Sequence, residues 1–139
     1  MKDETLLLIK YRIERSKESL NAAKVLLDSD NLYSAINRVY YGMFYAVNAL
    51  LLTKNLSSAK HSGVMSLFFK EFINSGLIDK ELGRLYSDIF DLRMKYDYKI
   101  PAKITKEDVH NWLIKAGNFI EIVTDLTFKI IDHDNNEAK

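Results

Sequence analysis

Along this chain apolar side chains return every three or four positions, the period of a helix laid against a core. Ile9, Ile13, Ser16, Leu20, Ala23 and Leu27 keep that spacing with charged residues between them, which predicts an amphipathic helix over about residues 2–28. Ser29, Asp30 and Asn31 form a short polar break. A second helix is expected from Leu32 to Lys54, interrupted by no helix breaker except Gly42. Two apolar stripes run along it: Leu32, Ile36, Val39, Met43, Ala46 and Leu50, and beside them Tyr33, Tyr40, Phe44, Val47 and Leu51. A helix apolar over so much of its girth should be central. A third row on the same helix, Ser34, Arg38, Tyr41, Tyr45 and Asn48, is polar and aromatic, so these groups should point together in one direction. That row is the first candidate for function.

Residues 55–60 read as a loop. Val64, Leu67, Phe68 and Phe72 then predict a short third helix, stopped by Asn74, Ser75 and Gly76. Asp79 can cap a fourth helix carrying Leu82, Leu85, Ile89, Leu92 and Tyr96, which ends where Ile100 is pushed toward extended geometry by Pro101. Thr105 caps a fifth, whose first turn holds Glu107 and Asp108, a placement that suits the helix dipole. Val109, Leu113, Ala116, Ile120, Val123 and Ile130 line its inner face. Residues 132–139 are polar and expected to fray. The expected architecture is all-α, an antiparallel up-and-down bundle of about five helices over residues 1–131 with a polar tail over 132–139.

Composition agrees with long helices and few loops: the 139 residues include 5 glycines and 1 proline, and 47% are hydrophobic, enough to line one shared core. The net charge of +1 excludes the broad basic field of a protein that coats nucleic acid by charge alone. Any polyanion site must therefore be local. Cysteine is absent, which removes disulfides, thiolate nucleophiles and thiolate metal sites. The 3 histidines lie on separate segments, so neither a metal nor another cofactor is expected. Glu107 and His110 match part of a di-iron pattern, but a second copy of that pair is missing from the sequence. No window reaches the roughly 18 apolar residues of a membrane span. The run Leu6 to Ile9 is bracketed by Asp3, Glu4, Lys10 and Arg12, unlike a secretion signal, so a cytoplasmic protein without membrane contact is expected. The apolar girth of the second helix exceeds what one bundle should cover, which argues for a homodimer.

The stretch Ala35-Ile36-Asn37-Arg38-Val39-Tyr40-Tyr41-Gly42-Met43-Phe44-Tyr45-Ala46, followed by Ala49-Leu50-Leu51, resembles the second helix of HEPN domains. Lys60-His61-Ser62-Gly63-Val64 with Leu67-Phe68, and Leu92-Arg93 with Asp97-Tyr98, are similar to later blocks of that family. The blocks stand in order across about residues 2–129. The resemblance implies an antiparallel helical bundle that commonly dimerises and is often paired with a minimal nucleotidyltransferase. It also implies roles in RNA cleavage, nucleotide binding or toxin–antitoxin pairs. Many catalytic members place a histidine a few residues after an arginine, the two acting on RNA across a dimer cleft. Arg93 fits the arginine, but Tyr98, Lys99 and Ile100 occupy the later positions, so the histidine is missing.

Metal-free RNA cleavage needs a base for the ribose hydroxyl, an acid for the leaving oxygen and a cation for the phosphorane. Arg93 could supply only the cation, and a tyrosine such as Tyr98, titrating near ~10 when unperturbed, is a poor base at neutral pH. No catalytic residue is assigned from the sequence. Arg38, Tyr41 and Tyr45 could bind a nucleotide, arginine on phosphate and tyrosine on a base. The same tyrosines equally suit a core or dimer contact, with Arg38 in an ion pair. Arg93 and Asp97 could form a helix-surface pair at i and i+4, and Arg93, in the last turns of its helix, is expected to be wet. His61, at the start of the third helix, could meet an anion or simply cap. The favoured expectation is a dimeric, non-catalytic binding module. Its site for a nucleotide, an RNA or a partner nucleotidyltransferase would comprise Arg38, Tyr41, Tyr45, His61, Arg93, Asp97 and Tyr98. The alternatives are a metal-independent endoribonuclease that recruits another acid or base, such as His61, and a structural dimerisation scaffold.

Overall fold

The computed structural model describes the backbone of residues 1–97 and 103–137, and the side chains of all of these except Tyr96 and Asp97. The expected helix stop at Ile100 and Pro101, and the site positions Asp97 (as a side chain) and Tyr98, lie outside what is described.

Helix α1, Asp3–Asp28, ends as a left-handed residue turns the chain: Asp30 has φ 61°, and the Asn31 and Asp30 N–H groups donate to the carbonyls of Leu26 and Leu27 at 2.8 and 3.0 Å. Those bonds satisfy carbonyls that the helix itself leaves open. Helix α2, Leu32–Leu52, runs back antiparallel and is closed the same way by Asn55, at φ 57°. Helix α3, His61–Phe68, continues into a π-helical turn, Phe69–Ile73, which Gly76 ends at φ 84°. Helix α4 is Lys80–Asp97 and helix α5 is Lys106–Glu137. Thr105 caps α5 as expected, because its hydroxyl accepts from the Asp108 N–H at 3.1 Å while the Asp108 carboxylate accepts from the Thr105 N–H at 3.2 Å. Among the described residues the fold is helical throughout, the all-α bundle that the periodicity predicts.

Helix α2 is the centre. Its apolar stripes face other helices except at Tyr33, which is 53% exposed, and Ile36, Val39, Tyr40, Met43, Val47, Leu50 and Leu51 are all buried. The crossing with α1 is close because small residues meet there: the Ser16 hydroxyl donates to the Gly42 carbonyl at 2.6 Å. A Cβ on Gly42 would lie 3.3 Å from Ile120 Cδ1 and 3.4 Å from the Ser16 carbonyl oxygen. At the junction of α3, α4 and α5, the rings of Phe68, Tyr86 and Phe119 pack with centroids 5.4 to 5.9 Å apart.

Two expectations change. Most of the girth of α2 is covered inside one chain, by α1, α3, α4 and α5, with Tyr33 at its start left 53% exposed, so the girth by itself is no argument for a second copy. The chain beyond Ile131 is also helical as far as Glu137 rather than frayed. Ile131 is buried with Ile9, Ile13 and Ala49 and anchors this last stretch of α5. A His133–Glu137 pair one turn apart, at 2.9 Å, continues it. Among the described residues no helix is long and apolar enough to cross a membrane.

Candidate functional site

A helix turns about 100° per residue, so neighbours on α2 can face different surroundings. Tyr40 faces inward and is 0% exposed, whereas Tyr41, Phe44, Tyr45 and Arg38 are half-buried along the rim. Arg93 reaches this rim from α4. Its guanidinium carbon sits 4.6 Å from the centroid of the Tyr40 ring and 5.7 Å from that of Tyr41. Its Nη1 makes a long contact of 3.5 Å to the Tyr41 hydroxyl. Arg38 lies over the Tyr41 ring at 4.8 Å and is steadied by a bond of 2.8 Å from its Nη2 to Asn37 Oδ1. Two guanidinium groups thus share one tyrosine. Cations are drawn to ring faces, more strongly where water is partly excluded.

His61 enters from the start of α3. Its imidazole stacks on Phe44, centroids 4.5 Å apart and planes 10° apart, and meets the Tyr41 ring edge-on at 5.7 Å. Its Nδ1 lies 2.8 Å from the Tyr40 hydroxyl. Burial pushes the Tyr40 hydroxyl up to about 12, against the pull of the Arg93 charge. It therefore keeps its proton near neutral pH and bonds to His61 Nδ1, the direction of that bond being set by the imidazole's tautomer. Burial also raises Tyr86, packed behind Tyr40, well above the ordinary tyrosine value.

The approach to His61 depends on Gly63. A Cβ there would run into Ser58 Oγ, the atom that accepts the Lys60 N–H at 3.2 Å. Serine and glycine together fold residues 58–63 tightly enough to lay His61 against α2.

The structure brings together five of the expected site residues, Arg38, Tyr41, Tyr45, His61 and Arg93. Arg93 is half-buried rather than wet, because it lies on the rings of α2. His61 is a stacked and hydrogen-bonded member of the cluster, not merely a helix start. Three contributors escaped the sequence reading. Tyr40 and Phe44 were assigned only to the core stripe. Arg15 of α1 was not considered, yet it lies over the Tyr45 ring at 5.3 Å, with its Nη2 3.5 Å from the Tyr45 hydroxyl. The one available signal for Arg15 is its place beside Ser16, the small residue that fits against Gly42. His110 lies elsewhere, in a groove of about 410 Å³ between α1 and α5. Among the described residues no group of three or more His, Asp or Glu could hold a metal ion.

Arginines laid on tyrosines at a helix rim suit phosphate and base recognition, since an edge N–H can meet phosphate while the ring or guanidinium plane meets a base. Known proteins resemble most of the chain. A protein of Thermotoga maritima named "UPF0332 protein" is 43% identical over 119 residues, covering 86% of this chain and 90% of the relative. Two proteins of Methanocaldococcus jannaschii, named "Putative toxin MJ0142" and "Putative toxin MJ0605", are 40% and 38% identical. The first covers 78% of this chain and 74% of the relative, the second 81% and 84%. The family model described as "HEPN domain" matches residues 9–126, and with most of the bundle inside that match the chain belongs to the HEPN domain family.

Proposed function

We propose that this chain is the HEPN module of a toxin–antitoxin-like pair, and that its aromatic and cationic site binds a nucleotide or RNA without cleaving it. One observation carries the reading: Arg38, Arg93 and His61 converge on the adjacent rings of Tyr40 and Tyr41. With a net charge of only +1, the attraction for phosphate has to come from such a local cluster. The names of the Methanocaldococcus relatives support a place in a toxin–antitoxin-like system. A minimal nucleotidyltransferase as partner, and a homodimer as the working form, belong to this reading on the family likeness alone. The absence of cleavage follows from the missing histidine after Arg93, since positioned acid–base groups typically contribute about 10²–10⁴-fold.

The test is a mixed single-stranded RNA pool incubated with the protein in chelator. Binding should weaken as salt is added, because neutralised phosphates release counterions. The RNA should stay intact. Arg93→Gln should abolish most of the binding while lowering stability by about 1 kcal/mol, the scale of a partly buried cation on a ring. If wild type fails to bind RNA or nucleotide at low salt, the proposal is wrong.

The endoribonuclease reading is favoured by one specific contact, because His61 and Arg93 both lie against Tyr40 and Tyr41. Cleavage by wild type that vanishes in both His61→Ala and Arg93→Gln would establish it in place of the binding-only reading.

A further inference from the structure

We propose that the site continues from α2 onto α1, and that its ligand is a single-stranded RNA longer than one nucleotide, with Arg15 and Tyr45 holding the second nucleotide. This rests on the nucleotide-binding reading above and names its ligand class. The observation is a repeated arrangement. Arg38 and Arg93 bracket Tyr41, and one helical turn further along α2 Arg15 lies over Tyr45. The two tyrosine rings have centroids 5.9 Å apart. Each bracket holds the same parts, a guanidinium for a phosphate and a ring or guanidinium plane for a base, and such parts in series are how single strands are tracked. Beyond Arg15, Tyr11 extends the line along α1 and is 57% exposed.

A free mononucleotide would occupy only the bracket at Tyr41. The second bracket is of use to a ligand with a second phosphate and a second base. Arg15 already holds an anion, the Glu18 carboxylate, 3.2 Å from its Nη1. Glu18 is 56% exposed, and exposed ion pairs of this kind are weak, so a phosphate can take its place. Glu18 is accordingly a competitor for the second position.

The experiment titrates the protein with uridine monophosphate and with a uridine trinucleotide, each over a series of potassium chloride concentrations. The trinucleotide should bind about tenfold tighter than the mononucleotide, the scale of one added stacked base. Arg15→Gln should remove that gain, lower the slope of log affinity against log salt by about 0.7, and weaken the trinucleotide far more than the mononucleotide. Glu18→Gln should tighten the trinucleotide alone, by about twofold or threefold. Equal affinity for the two probes in wild type, or an equal effect of Arg15→Gln on both, overturns the proposal. An effect of Glu18→Gln on the mononucleotide does so as well. If neither probe binds wild type, the nucleotide-binding reading fails first and takes this extension with it.

Discussion

The ring of Tyr40 is wholly inside the bundle, while its hydroxyl meets an imidazole that is half in water. Removing only the oxygen separates these two roles. Tyr40→Phe keeps the packing but removes the hydrogen-bond partner of His61 Nδ1, so stability should fall by about 0.5–1.5 kcal/mol, the net worth of one hydrogen bond. On the nucleotide-binding proposal, affinity should fall as well, because the imidazole loses the contact that orients it. Alkali offers a second readout. In the unfolded chain Tyr40 ionises near ~10, whereas in the fold it ionises at about 12. The unfolded state therefore releases its proton first, and stability is held below pH about 10 and lost as the pH climbs toward about 12. Urea denaturation at several pH values should show a shallower alkaline decline for Tyr40→Phe than for wild type. An identical decline would mean that Tyr40 ionises normally. Periodicity placed Tyr40 correctly in the core stripe, but its bond to His61 spans 21 positions and depends on how the intervening loop folds. Nothing in local spacing encodes that distance.

At the scale of elements, the row on α2 was readable because helical spacing alone aligns Arg38, Tyr41 and Tyr45. Which neighbours face that row was not readable, since it is decided by loop geometry and by the register of α1 against Gly42. The block Lys60 to Val64 shows the difference: its likeness to the family was visible, and the reason for Gly63 was not. Gly63→Ala should drive its new methyl into Ser58, costing about 1–3 kcal/mol as overpacking does, and should weaken nucleotide binding by displacing His61. Adding Ser58→Gly, which clears the space, should restore part of both losses. If the single variant binds and unfolds as wild type does, the close approach has no bearing on the site. The π-helical turn that follows α3 was also hidden, because Phe68, Phe72 and Ile73 keep an ordinary helical alternation while the backbone widens beneath them.

For the whole molecule, the bundle followed from five periodic segments and very few breakers, whereas the apolar sides of α2 were no guide to a second copy without knowing how many helices would cover them. The far end was misread for a related reason. A polar segment looks loose until the residue that anchors it is known, and here that residue is Ile131, packed with Ile9, Ile13 and Ala49. Ile131→Ala should cost about 2–5 kcal/mol, as deletion of a buried aliphatic side chain does, and should leave the proposed nucleotide site intact. Differential scanning calorimetry with a parallel binding titration checks both statements. A negligible fall in melting temperature would show that the end of α5 is not held by this contact.

The site is divided along the chain, with Arg15 and Tyr45 on the first two helices, His61 on the third and Arg93 on the fourth. A ribosome makes them in that order, and at roughly 5–20 residues per second the stretch from Tyr45 to Arg93 takes about 2–10 s. For those seconds a growing chain can carry the Arg15 bracket without the arginine that completes the other. If the site binds RNA as proposed, its full affinity arrives late in synthesis, only once α4 has docked.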